Sequence, residues 1–121
     1  MKVAVSAEGT ELDAATSPVF GRCPAFVVVD TETMAYEGMA NPALSLGGGA
    51  GTQAAQTVVQ HGAEAVLSQN VGPNAFQVLE AGGVKVYRVG AGTVRQAVMD
   101  FLAGRLEPLQ AASTSAHSGM R

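Results

Sequence analysis

From Thr52 to Gly104 the chain alternates helical periodicity with short apolar runs, and that alternation constrains the fold more than any other feature. Ala54, Ala55, Val58 and Val59 share one face of a helix expected from about Thr52 to His61, with Gly62 as its stop. Ala65–Ser68 then reads as a strand. A second helix opens at Pro73, carries Phe76, Val78 and Leu79, and ends at Gly82-Gly83. Val84–Tyr87 is the next strand. Thr93-Val94-Arg95-Gln96 has the form of a capping box. The third helix follows with Val94, Ala97, Val98, Phe101 and Leu102 in an i, i+3, i+4, i+7, i+8 stripe, stopping at Gly104.

The first half has a different rhythm. Val3-Ala4-Val5 reads as a buried strand, Glu8 to Pro18 as a polar loop, and Ala25–Asp30 as a strongly β-branched strand. Thr31-Glu32-Thr33 turns the chain into a weaker strand, Met34–Ala40, which Asn41-Pro42 ends. From Glu107 the composition shifts to Ala, Ser and Gln, so 1–106 is expected to be one domain and 107–121 a flexible tail.

The order is β-β-β-α-β-α-β-α. A hairpin region followed by helical crossovers implies a mixed sheet with helices on its faces. If the first three strands form a meander, the first, third, fourth and fifth end at one rim. Ligands gather at that rim in open α/β sheets. It would collect Ser6–Gly9, Pro42–Gly51, Gln69–Gly72 and Gly90–Thr93, three helix N-termini, and the segment Phe20-Gly21-Arg22-Cys23-Pro24. The glycine loop Leu46-Gly47-Gly48-Gly49-Ala50-Gly51-Thr52 belongs to the same rim. It lets backbone approach a ligand and aims helix N–H groups at it, which suits an anion. It lacks the Lys-Ser/Thr of a P-loop and the spacing of a dinucleotide loop.

With 121 residues, 47% of them hydrophobic, the chain can fill one core without staples. A net charge of −3 gives no footprint for nucleic acid or an anionic membrane. One cysteine excludes an internal disulfide and a Cys-x-x-Cys site. No apolar run approaches the length of a membrane span, and the chain enters its first strand directly, so a cytoplasmic location is expected.

Several segments resemble the dinitrogenase iron-molybdenum cofactor biosynthesis family. They are the opening Met-Lys-Val-Ala-Val-Ser, Phe20–Phe26, Val29-Asp30, Asn41-Pro42, Gly49-Ala50-Gly51, Gly62–Val66, Asn70–Phe76, Ala81–Tyr87 and Gly92-Thr93-Val94. They stand in family order and cover residues 1–106. The resemblance implies a ribonuclease H-like α/β fold with a five-stranded mixed sheet. It also implies a protein that binds or carries a metal–sulfur cluster and is not an enzyme. One stand-alone branch holds a molybdenum–copper sulfide cluster without a conventional set of protein ligands; other members are linked to iron–molybdenum or iron–sulfur clusters. Histidines that many nitrogen-fixation relatives carry before Phe-Gly and before Gly-Ala-Gly are here Val19 and Gly48. That departure favours a cluster held by N–H groups, arginine and apolar walls, or no metal at all.

The residues expected to bind such a cluster are Ser6, Phe20, Gly21, Arg22, Cys23, Asn41, Gly48, Gly49, Ala50, Gly51, Thr52, Asn70, Val71 and Gly72. Arg22 would either offset its charge or stand as a solvated surface side chain, while Phe20 and Val71 would shield the cluster from water. Two readings fit Cys23: a thiolate ligand for copper or iron, or a small buried apolar residue. For Ser6, Asn41, Asn70 and Asn74 the choice is donation to an anion or turn and cap chemistry. For Arg95, in the first turn of a helix, the choice is a local anion or carboxylate partner or a plain exposed side chain. His61 suits a helix end, His117 lies in the tail, and Met34 and Met39 read as packing. Ribonuclease H chemistry needs a carboxylate on the first strand, and Val3-Ala4-Val5 has none. The partners expected are therefore the cluster and a protein that receives it. The other reading is a metal-free regulatory or interaction module that binds a nucleotide or protein at the same rim.

Overall fold

The computed structural model describes residues 1–46 and 48–113. Its strands are β1 (Lys2–Ala7), β2 (Ala25–Asp30), β3 (Tyr36–Ala40), β4 (Ala65–Ser68), β5 (Lys85–Arg88) and β6 (Glu107–Pro108). Its helices are α1 (Ala50–Gln60), α2 (Pro73–Ala81) and α3 (Val94–Leu102), with a short 3-10 turn at Pro42–Ser45. The sheet runs in the order β3-β2-β1-β4-β5-β6. β1 pairs antiparallel with β2 and parallel with β4; β2–β3 is antiparallel and β4–β5 parallel. The meander and the common rim anticipated from the sequence are therefore present.

Period-two alternation splits the core into two layers. Ala4, Phe26, Val28, Val66 and Val86 face α1 and α2, meeting Ala54, Ala55, Val58 and Leu79. Val3, Val5, Val27, Val29 and Leu67 face the other way, toward Leu12 of the long loop and Val94, Ala97 and Val98 of α3. β3 to β4 and β4 to β5 are successive parallel crossovers in the same direction across the sheet. The right-handed rule puts both crossover helices on one face, side by side and parallel. Contacts at the two ends agree. A Cβ on Gly51 would touch Ala75 Cβ at 3.4 Å near the N-termini, and one on Gly82 would meet Val59 Cγ2 at 3.0 Å near the C-termini. Two helix N-termini are thereby delivered to one place.

The structure corrects four expectations. The sheet has six strands rather than five, because Glu107 and Pro108 pair antiparallel with Arg88 and Tyr87. The segment after Glu107, expected to be loose, is docked as far as Ser113. Leu109 N–H donates to Val86 C=O at 2.8 Å, and Ser113 N–H to Val71 C=O at 3.0 Å. His117 lies outside the described residues. β3 starts at Tyr36 rather than Met34, because Met34 takes a left-handed backbone (φ 62°) to close the turn after β2. α1 starts two residues early, at Ala50, because Gly49 adopts φ 73° and serves as its N-cap.

Candidate functional site

A cleft of about 280 Å³ opens where α1 and α2 begin, lined by Val19, Gly21, Arg22, Gly49, Ala50, Gly51, Thr52, Gly72, Pro73, Asn74 and Ala75. Both helices start without a side-chain cap. Their N-caps, Gly49 and Gly72, have no side chain to satisfy the first turn, and neither first turn contains an acidic residue. The first intrahelical bonds come from Gln53 N–H to Gly49 C=O and from Phe76 N–H to Gly72 C=O, both at 3.0 Å. Among the described residues, the N–H groups of Ala50, Gly51, Thr52, Asn74 and Ala75 have no acceptor. Pro73 at the first position of α2 has no N–H to satisfy. Bare N–H groups and the positive ends of two helix dipoles thus meet in one cleft, which favours negative charge.

A third segment closes the cleft. Gly21 lies against the start of α1 so tightly that a Cβ there would come within 2.9 Å of Gly51 Cα. Asn41 holds this segment from behind, its Nδ2 donating to Gly21 C=O at 3.1 Å and to Cys23 C=O at 2.9 Å. Its Oδ1 accepts from Ala43 N–H, starting the 3-10 turn. Arg22 projects outward and its Nη1 donates to Leu46 C=O at 2.9 Å, tying the glycine loop to the cleft wall. Neither ion pair among the described residues includes Arg22, so no carboxylate offsets its charge.

Of the residues anticipated from sequence, Gly21, Arg22, Gly49, Ala50, Gly51, Thr52 and Gly72 line this cleft. Gly48 is exposed beside it and outside the lining. Phe20 and Val71 are fully buried core residues, not shields over a ligand; the Phe20 ring packs 5.1 Å from that of Phe26. Cys23 is fully buried, and its Sγ donates to Phe20 C=O at 3.0 Å. Burial pushes its thiol up to about 12, so it stays protonated at neutral pH. Ser6 is buried and donates to Ser68 Oγ at 2.7 Å. Asn70 binds the chain around Pro18 and Phe20. Asn41 and Asn70 therefore hold the segments that shape the cleft, Ser6 ties β1 to β4, and none of the three lines the cleft.

The third helix N-terminus does not take part. Thr93 Oγ1 accepts from Gln96 N–H, and the carbonyls of Ala14 and Leu12 accept from Val94 and Arg95. The anticipated box is only half made, since the Gln96 side chain turns instead to Asp100. Arg95 pairs with Asp13 at 3.2 Å. His61 Nδ1 lies 2.8 Å from Thr57 C=O at the end of α1. Sequence reasoning left Val19, Pro73 and Ala75 out of the site. Pro73 following Gly72, with no side-chain cap between them, was the available signal that α2 starts bare.

Fold and cleft together define a small mixed-sheet α/β domain with a cationic, donor-rich hollow at the carboxyl rim of its strands. Among the described residues no group of three or more His, Cys, Asp or Glu is placed to hold a metal ion. The chain belongs to the family described as dinitrogenase iron-molybdenum cofactor, whose model matches residues 1–104. It resembles the apo form of the orange protein from Desulfovibrio gigas, with 44% identity, a TM-score of 0.91, and coverage of 93% of this chain and 96% of that one. A candidate NifB protein from Thermotoga is 38% identical at a TM-score of 0.81, with the same coverage. An uncharacterised protein of Methanocaldococcus jannaschii is 31% identical over 91% of this chain and 92% of its own length. Among the described residues no helix is long and apolar enough to cross a membrane.

Proposed function

We propose that this chain binds and carries an anionic metal–sulfur cluster, taken up preformed and held without covalent ligands from the protein. The observation that carries the reading is the convergence, on one cleft, of two helix N-termini without side-chain caps and an arginine that pairs with no carboxylate among the described residues; the described lining contains no thiol, imidazole or carboxylate. A cluster whose outer atoms are sulfides already has its metals saturated. It needs hydrogen-bond donors and positive potential, not further ligands.

The N–H groups of Ala50, Gly51, Thr52, Asn74 and Ala75 donate to the sulfides, and Arg22 offsets the charge. Val19, 48% exposed on the cleft wall, takes the apolar role first expected of Phe20 and Val71. Cys23 stays outside the site, since a protonated thiol in the core is no ligand. Membership of the iron-molybdenum cofactor family and the likeness to the orange protein support a metal-cofactor role. The lining favours the molybdenum–copper sulfide type over a histidine- or cysteine-ligated iron cluster. The protein then acts as holder or donor, in the cytoplasm, for a recipient protein.

The test adds tetrathiomolybdate to metal-free protein, with and without copper(I), and follows visible absorption through a desalting column. Retained colour that depends on copper is the expected result. Colour that washes through under every condition overturns the reading and leaves a metal-free module for a nucleotide or protein partner.

A further inference from the structure

The two edges of the sheet are guarded unequally. β6 has two residues, and one of them, Pro108, has no N–H to offer. β3 is five residues long, pairs with β2 in unbroken register, and contains no Pro, Lys or bulge. The long loop lies over one face of β3, with Thr10 above Gly38 and Tyr36 Oη donating to Glu11 Oε2, but it does not pair with the edge.

The ladder shows which groups that edge presents. Asp30 N–H donates to Ala35 C=O at 2.8 Å, and Asn41 N–H to Pro24 C=O at 3.0 Å. In an antiparallel pair the hydrogen-bonded positions alternate, so Ala35, Glu37, Met39 and Asn41 turn their main chain toward β2. Tyr36, Gly38 and Ala40 turn theirs outward. None of the three has another main-chain partner among the described residues.

We propose that β3 pairs antiparallel with β3 of a second copy of this chain, about a two-fold axis through Gly38, joining two sheets into one. The strand is complementary to itself in this register. Tyr36 faces Ala40 of the other copy, Gly38 faces Gly38, and every outward N–H and C=O of the three residues finds a partner. The residue on the axis has no side chain to collide with its mate. Glu37 falls opposite Met39, so no like charges meet across the strands. An axis through Glu37 would set that carboxylate against itself, and an axis through Met39 would leave Tyr36 unpaired. The proposal uses no residue of the cleft and stands apart from the reading of its ligand.

Light scattering over a concentration series tests it on the intact chain. The expected result is a mass that rises from 12.2 kDa toward twice that value. A mass of one chain at every concentration overturns the proposal, including where an unrelated extended peptide is the true occupant of the edge. Register is read by oxidative cross-linking. Tyr36→Cys mixed with Ala40→Cys yields a covalent dimer, because hydrogen-bonded pairs sit about 5.5 Å apart at Cα, within disulfide reach. Neither variant alone cross-links. The native Cys23 does not interfere, being fully buried. Cross-linking by either variant alone, or none from the mixture, rejects the axis through Gly38.

Discussion

Gly21 and Gly51 lie so close that a Cβ on Gly21 would come within 2.9 Å of Gly51 Cα and 3.1 Å of its nitrogen. The neighbour is helix backbone, which cannot swing aside. Gly21→Ala therefore pushes the Arg22 segment off α1, at a cost of about 1–3 kcal/mol, typical of overpacking. Gly51→Ala is the matched control. Its Cβ would meet Ala75 at an ordinary 3.4 Å, so stability changes by less than about 1 kcal/mol. Urea unfolding of both variants checks the contrast, and equal losses would show that the close approach is not rigid.

Arg22 separates binding from folding. Its side chain is exposed and, among the described residues, makes a single bond, to Leu46 C=O. Arg22→Ala is expected to change stability by no more than about 0.5 kcal/mol. The same change removes the one charge that faces the cleft among the described residues, and a charge-assisted bond is worth ~1.5 kcal/mol at the lower end of its range, so thiometallate affinity falls roughly tenfold. Raising salt narrows the gap between wild type and variant, because the arginine is open to solvent. Equal retention of colour by the two proteins would remove Arg22 from the site.

Much of this fold was legible because its signals are local. β2 and β4 were read end to end from runs such as Phe26–Val29 and Val66-Leu67, and the helix starts from Pro73 and Thr93. β6 was missed because Glu107-Pro108 has no strand pattern of its own; it is held by β5 and by the Leu109 and Ser113 bonds beyond it. Leu102, read as the last core residue of α3, is 50% exposed because the helix ends there. In the site, proximity in sequence misled. Val19 and Arg22 face the cleft while their neighbours Phe20 and Cys23 turn into the core, a difference of one step along the chain. The capping of α3 by Ala14 and Leu12 joins positions about eighty residues apart, and no local pattern announces it.

Cys23 gives a pH dependence whose sign is fixed. Burial raises its thiol from 9.0 to about 12, with hydrogen bonds to the backbone and Asn41 opposing the shift. The unfolded chain loses this proton near pH 9 and the folded chain does not. The unfolded state therefore binds fewer protons above that pH, and stability falls as pH climbs from 9 toward 12. The contribution is fully present below pH 9. Cys23→Ala removes this component, so its urea midpoint should decline less steeply than that of wild type across the window. Parallel declines would show that the thiol ionises freely in the native state. Slow reaction with thiol reagents before unfolding is the companion observation.

Gly38 is the position where β3 admits the loop that covers one face of the sheet. A Cβ there would collide with the carbonyl oxygen, Cα and Cβ of Thr10, all close to the chain's own backbone path. That loop carries Leu12, a buried member of the α3-side core, and its carbonyl groups cap α3. Gly38→Ala must lift the loop, and the disturbance reaches the start of α3 through Leu12 and Ala14. The expected loss is about 1–3 kcal/mol, with faster amide exchange at Val94 and Arg95, whose N–H groups those carbonyls accept. The α1 and α2 amides, on the opposite face, should keep wild-type protection. Uniform loss of protection across all three helices would mean that the loop and α3 do not open as a separate unit.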